Sequence, residues 1–417
     1  MTMICSGCGY TAPALERRPF RCPNAGSDDT DHVLRRTIDT RGREEELRRA
    51  FFDPEPDPFI RYRRLTHTWH AASAMGMNDA DYVALVRRLE QRIASVDGTA
   101  FHVTPLIRHD ELWIKDETGN VSGSHKGRHL MGLMIWLEIM KLSEPRLAIA
   151  SCGNAALAAA VIARAAGREL DVFVPTDASE GVVARLEALG AHVTRCPRQP
   201  GVTGDPSYHC FREAVAAGAL PFTCQGNENG LVVEGGQTLG WEIVSQLLAA
   251  GAMIDRLFVQ VGGGALASAC IAALDDAYAL GLIPQRPRIH AVQTASSPLA
   301  RAWDRFIAAD VPLDYAVQHR SEFMWPWETP PVSVAHGILD DETYDWAAVM
   351  RGMMESDGFP IVVSEDQLNE ANRLANSTGI RVDPTGSSGL AGVLELRRRG
   401  AIRSGESLGV LFTGRSR

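Results

Sequence analysis

Four short segments join a reactive or polar side chain to small residues, each where an apolar run gives way to a helical pattern. The first is Ser122-Gly-Ser124-His-Lys126-Gly-Arg128. A lysine at a helix start faces the positive end of the helix dipole. That disfavours the ammonium and favours the neutral amine, the form that attacks a carbonyl to give a Schiff base. Taken alone, such a lysine reads equally as a solvated surface residue. The second segment, Ser151-Cys152-Gly153-Asn154, offers backbone amides and a side-chain donor, a cradle for a carboxylate or phenolate; an ordinary N-cap Asn behind a turn glycine looks the same. The third, Gly262-Gly263-Gly264-Ala265, follows the apolar run 257–261, and its glycines let amides converge on a phosphate. Its spacing, with Leu266 and Ala267 next and a position late in the chain, excludes a dinucleotide fingerprint. The fourth, Asp383-Pro-Thr385-Gly-Ser387-Ser388-Gly, supplies hydroxyls and few charges, and otherwise reads as a helix N-cap after a proline turn. The ordered set is far more specific than any member.

A different chemistry is written in the first forty residues. Cys5-Ser-Gly-Cys8, then Cys22, make three quarters of a zinc ribbon, and the fourth cysteine expected near Ala25 is absent. His32 completes a three-cysteine, one-histidine set, so a structural zinc stands against a metal-free turn of reduced thiols.

The elements that must hold these segments follow from periodicity. Strands are expected at 112–115, 147–150, 172–174, 193–195, 257–261, 289–292 and 408–412. Helices are expected at 43–52, 79–94, 124–141, 154–166, 181–189, 208–217, 232–248, from 265, 365–376 and 388–398. Residues 53–58, with three prolines, must be a loop. Strands alternating with helices imply an α/β fold of parallel or mostly parallel sheets covered by helices. At 417 residues, 45% hydrophobic and 22% charged, the chain builds a normal core over two or three domains. A net charge of -9 without basic runs argues against nucleic acid. No stretch reaches the roughly 18–20 apolar residues of a membrane span, and no leader is visible after Met1. The eight scattered cysteines suit a reduced, cytoplasmic setting.

In order and context, the four segments resemble the fold-type II pyridoxal-phosphate family of threonine synthase, serine and threonine dehydratases and the tryptophan synthase β-chain. The resemblance spans roughly residues 100–415, and Cys5, Cys8 and Cys22 are similar to the cysteine-bearing start of some threonine synthases. It implies pyridoxal 5'-phosphate held as a Schiff base on Lys126, with Asn154 on its phenolic oxygen and Gly262, Gly263, Gly264, Ala265 and Leu266 around its phosphate. Ser151, Cys152, Gly153 and Asn154 would take the substrate carboxylate. Thr385, with Ser387 and Ser388 as rivals, would meet the pyridine nitrogen. The run from Glu234 to Thr238 resembles the family's Glu-Gly-x-x-Thr helix start. The chain departs from the threonine synthases in having His125 and Gly127 about the lysine instead of Phe and Asp. The implied organisation is a cysteine-bearing segment at 1–42, a large cofactor-binding domain from 43–144 and 226–417, a small substrate-binding domain at 145–225, and a homodimer.

The expected reaction is α,β-elimination on a small hydroxy amino acid, giving an oxo acid and ammonia, because no cluster for a second substrate stands out. The alternative is a threonine-synthase-type or other replacement reaction. A non-catalytic binding protein is a third class, but it would not retain both Lys126 and the glycine run. Trp325, Trp327, Ser333 and His336 are candidates for the pocket wall, although aromatics more often serve cores or subunit contacts.

Overall fold

A computed structural model describes residues 1–144 and 146–416; Pro145, the expected domain boundary, lies outside the described residues. The strongest apolar runs lie deepest. Arg256–Gln260 and Leu408–Phe412 are buried at every position and form the middle of a six-stranded sheet. Its order is Ile361–Val362, Arg288–Gln293, Arg256–Gln260, Leu408–Phe412, Leu112–Asp116 and Leu106–His109. All neighbours are parallel except the last pair, so the sheet is mostly parallel, as runs buried on both faces require. A second, four-stranded parallel sheet has the order His192–Cys196, Glu169–Pro175, Arg146–Ala150 and Leu220–Pro221. Glu169–Pro175 alternates buried and half-buried residues after an exposed start, the signature of a less enclosed strand.

Beside the six-stranded sheet the apolar helix Val232–Ala249 packs against two others, Lys126–Ile139 and Ala265–Ala279. The first two approach closely enough that a Cβ on Gly235 would stand 2.3 Å from the Arg128 carbonyl oxygen. At this crossing lies a fully buried ionic cluster. Arg128 bonds Glu117 (Nε–Oε2 2.7 Å) and Glu242 (Nη1–Oε1 2.6 Å), and Lys115 Nζ bonds Glu242 at 2.6 Å. Thr104 completes it, accepting from Arg128 Nη2 at 3.1 Å.

Most expected elements are present within a few residues. One boundary differs where it matters: the helix expected from Ser124 begins at Lys126. Ser124 is extended (φ -161°, ψ 161°) and bridges Gly414 instead. The turn before it runs through two left-handed residues, Ser122 (φ 55°) and Gly123 (φ 70°). For serine that conformation is strained, and such strain gathers at functional sites. The antiparallel edge Leu106–His109 and the ladder pairing Thr2–Cys5 with Leu34–Thr37 were not anticipated, being only four residues long and largely outside the core. No helix among the described residues is long and apolar enough to cross a membrane.

Candidate active site and metal-ligand cluster

Three of the four chemical segments follow the C-terminal ends of parallel strands, where open α/β sheets place their ligand crevice; the hydroxyl turn 383–388 follows the helix Glu365–Ser377 instead. Asp116 leads to Lys126, Ala150 to Asn154, Gln260 to the glycine run, and Phe412 to Thr413 and Gly414. Between Val121 and Leu130 every residue is buried except Lys126, which is half-buried. It thus points out of a packed wall. Its charge is felt by Asp340, Cys224 and Asp345.

Ser124, His125 and Asn154 converge on the chain end that enters from the last strand. His125 N–H donates to the Thr413 carbonyl at 3.0 Å, and its ring Nδ1 lies 3.2 Å from the same oxygen. Burial, and the charge of Lys126 after it, push the His125 imidazole well below its ordinary value, so it is neutral. Its Nε2 and the Ser124 Oγ, both buried, have no hydrogen-bond partner among the described residues. A Cβ on Gly414 would come within 2.6 Å of Asn154 Nδ2 and 3.1 Å of Asp383 Oδ2, so Asn154 sits hard against this turn. Ser151 Oγ accepts from the Gly153 N–H at 3.3 Å and braces the cradle from within. Cys152 is exposed.

The glycine run turns into its helix through Gly264, whose φ of 95° is one that L side chains rarely adopt. Residues 338–345 ride on it. A Cβ on Gly262 would meet Asp340 Oδ2 at 2.3 Å, and one on Gly264 would meet Thr343 Cγ2 at 3.0 Å and Asp345 Cβ at 3.1 Å. Asp345 N–H donates to the Gly263 carbonyl at 2.9 Å. Burial pushes the Asp340 carboxyl up to about 6 against the pull of Lys126, and Asp205 and Asp341 add to the rise.

The hydroxyl turn sits beside this loop. Thr385 Oγ1 accepts from the Gly337 N–H at 2.9 Å. Ser387 and Ser388 spend their hydroxyls inside the turn, donating to Asp383 O (3.0 Å) and Pro384 O (2.8 Å). Sequence reasoning passed over two residues. Thr413, 2% exposed, stands at the end of the central strand and accepts from Gln260 Nε2 at 2.7 Å. Asp340 lies in a loop with no periodicity. Thr413 had a signal, a hydroxyl and a glycine closing a buried strand; Asp340 had none. Glu234 serves a different purpose from any ligand: its carboxylate caps the helix His67–Ala74, accepting from the N–H groups of His67 and Thr68. Trp325 and Trp327 stack on the Arg301 guanidinium (3.8 and 4.8 Å to the ring centres), which accounts for both. His336 is exposed and Ser333 is buried.

Far from Lys126 in sequence, Cys5, Cys8, Cys22 and His32 bring one ligand atom each within 4.8 Å of one another. Cys8 and Cys22 Sγ are 3.7 Å apart, and Cys5 Sγ lies 3.5 Å from His32 Nδ1. His32 Nε2 is 2.9 Å from Asp28 Oδ1, which orients the ring with Nδ1 toward the thiols. Slight burial raises the Cys8 thiol, but hydrogen bonds from the Tyr10 backbone, Asn24 and the other two cysteines outweigh it and pull it down to about 6.

The family described as "Pyridoxal-phosphate dependent enzyme" matches residues 99–414. Threonine synthase of Methanocaldococcus jannaschii is 24% identical over 307 residues, 73% of this chain and 70% of that one. L-serine dehydratase of Saccharomyces cerevisiae is 29% identical over 216 residues, 48% of this chain and 63% of that one. Among solved structures, a T.th. threonine deaminase superposes with a TM-score of 0.60 at 25% identity, covering 80% of this chain and 98% of the other. Maize serine racemase gives 0.59 at 20% identity, with 79% and 92% covered.

Proposed function

Because the chain belongs to the pyridoxal-phosphate dependent enzyme family, we propose that it is a lyase acting on a small hydroxy amino acid, releasing an oxo acid and ammonia, with Lys126 as the cofactor's attachment point. The observation that carries this is the setting of Lys126, the one half-buried residue in the otherwise buried stretch 121–130, close enough to the carboxylate overlying the glycine run for its charge to be felt there. The surroundings fit the cofactor. Ser124 Oγ, His125 Nε2 and Gln260 Oε1 are buried polar atoms lacking partners among the described residues, and such atoms are costly unless a bound group meets them. The amides of Gly262, Gly263, Gly264, Ala265 and Leu266 would take the phosphate, and Asn154 the phenolic oxygen. Residues 151–154 would take the substrate carboxylate.

When bound, pyridoxal phosphate supplies the electron sink that allows an amino acid to lose its Cα proton. Lys126 receives that proton. Thr385 or Thr413 would offer a hydroxyl to the pyridine nitrogen, and neither carries the charge with which a carboxylate would favour a protonated ring. On this reading residues 145–225 form the substrate side of the crevice, and 43–144 with 226–417 the cofactor side.

The similarity to threonine synthases favours a second reading, replacement on a phosphorylated homoserine. The electrostatics support the first. Asp340, Asp341 and Asp205 feel one another, and burial before all else pushes both Asp340 and Asp341 up to about 6, against the pull of Lys126 on the first and of Arg198 on the second. A dianionic phosphate ester would add to that crowding, whereas a zwitterionic hydroxy amino acid does not. A screen of amino acids for oxo acid and ammonia, run beside a phosphate-release assay on phosphohomoserine, separates the two. Phosphate release with threonine formation would replace elimination by the second reading.

The cysteine cluster reads as a structural zinc site. With Zn–S near 2.3 Å, tetrahedral thiolates stand about 3.8 Å apart, close to the 3.7 Å between Cys8 and Cys22. Metal analysis of the purified protein should return about one zinc per chain, as a closed four-ligand site holds. Its absence after purification in zinc-supplemented medium would leave the thiols metal-free.

A further inference from the structure

The metal-ligand cluster and the glycine run are joined by two polar arms. The first starts beside a ligand. Cys5 pairs with Leu34 in the N-terminal ladder, and the next residue, Arg35, reaches into the large domain. Its Nη1 donates to Ser268 Oγ at 2.8 Å, in the first turn of the helix that the glycine run begins. Its Nη2 donates to Asp345 Oδ1 at 3.2 Å, and the Asp345 side chain is wholly buried. Asp345 in turn holds the run through its own N–H on the Gly263 carbonyl, while its Oδ2 accepts from the Gly226 N–H at 3.3 Å and ties it to the loop before the helix Val232–Ala249.

The second arm starts at Asp31, next to His32. Asp31 accepts from Arg320 Nε at 3.3 Å, and the same guanidinium pairs with Glu342. Glu342 belongs to the stretch lying on the glycine run. The loop carrying Asp31 is itself pinned, with Asp31 N–H on Val317 O at 2.8 Å and Arg320 N–H on Asp29 O at 2.9 Å.

From these two arms we infer that metal binding by Cys5, Cys8, Cys22 and His32 sets the geometry of the phosphate-holding loop, with Arg35 and Arg320 as positioning residues. The inference rests on the zinc and pyridoxal-phosphate readings above. Its physical basis is that a loop of three glycines has no side chains with which to fix its own amides. Residues 340–345 supply the outer wall, and the N-terminal segment fixes that wall from both ends. A metal that ties Cys5 to His32 shortens the slack in both arms together. The effect is expected to fall on the phosphate more than on the ring, because the hydrogen bonds of both arms end on the helix of the glycine run and on residues 342–345, while Lys126 is reached only through the field of Asp345.

That distinction provides the test. The full-length protein, with and without zinc, is titrated with pyridoxal phosphate and with pyridoxal, which lacks the phosphate. Removing zinc is expected to weaken pyridoxal phosphate about tenfold while changing pyridoxal less than about twofold. Arg35→Lys, and the pair Arg35→Met with Asp345→Asn that leaves no lone buried charge, should show the same phosphate-specific loss with zinc still bound. In those variants zinc removal should add little, the non-additivity expected of one connected path. Equal weakening of both ligands would mean general loosening and would overturn the inference. Stoichiometric zinc with no effect on pyridoxal-phosphate affinity would overturn the brace and leave the metal site standing. Failure to bind zinc at all would overturn the metal reading and the inference with it.

Discussion

Lys126 and Asp340 feel each other's charge, and each makes a distinct prediction. Borohydride treatment of the holoenzyme should fix the cofactor on Lys126, found by peptide mass spectrometry, and Lys126→Ala should lose both the adduct and turnover. An adduct on Lys115 or Lys141 would refute the assignment. Asp340 has an ordinary carboxyl value of 3.8 raised to about 6 in the folded chain, by burial above all. A raised carboxyl pKa means that the ionised form costs stability. The cost is absent below about pH 4, grows through the window from 4 to 6, and is complete above it. Cofactor-free Asp340→Asn should therefore exceed the parent in urea stability at pH 8 by on the order of 3 kcal/mol, and match it near pH 3.5. A variant that is weaker at pH 8 would show that the attraction of Lys126 outweighs burial. The two threonines are separable in the same way. Alanine at the one facing the pyridine nitrogen should weaken cofactor retention by about 0.5–1.5 kcal/mol, the worth of one hydrogen bond, and shift its absorbance; alanine at the other should shift no spectrum.

The helix Lys126–Ile139 delivers its lysine accurately because Arg128, two residues on, is locked between Glu117 and Glu242. Arg128→Met would leave two buried carboxylates facing Lys115 alone. Breaking a buried pair in this way costs about 3–5 kcal/mol, read as a lower denaturation midpoint. Burial raises the Glu117 carboxyl, but Arg128 outweighs it and the net shift is downward. Its stabilising share is therefore present above the ordinary value of 4.5 and lost as the pH falls through the lower folded value. The gap between parent and Arg128→Met should be widest at neutral pH and narrow in acid. At this scale the sequence was informative where signals are local. Asn154–Ala166 and Leu408–Phe412 were legible to the residue, one from a run of small helix formers, the other from an almost unbroken apolar run. The start at Lys126 was not, because what holds Ser124 extended is Gly414, nearly three hundred residues away. Asp340 was hidden for the same reason. It reaches the glycine run in a loop pinned by Arg35 and Arg320, and no local period records such contacts.

Across the whole molecule, the net charge of -9 and the carboxylates about the crevice act in the same direction. A zwitterionic hydroxy amino acid carries no net charge and feels this field weakly. A phosphorylated amino acid carries net negative charge and is repelled on approach. Salt distinguishes the two, since screening shortens to about 10 Å at 0.1 M and about 3 Å at 1 M. The KM for the eliminated amino acid should therefore stay flat from low to high ionic strength. Inhibition by O-phosphorylated serine or homoserine should strengthen as salt rises, because the repulsion is screened. Asp340→Asn with Asp341→Asn should mimic that salt effect at low ionic strength. The paired form of the experiment also guards against a trivial result: a crevice that merely loosens in salt would change both ligands together. If phosphohomoserine instead binds more tightly at low salt, cationic groups dominate the crevice. The replacement reading would then displace elimination, with Lys126 still the attachment point.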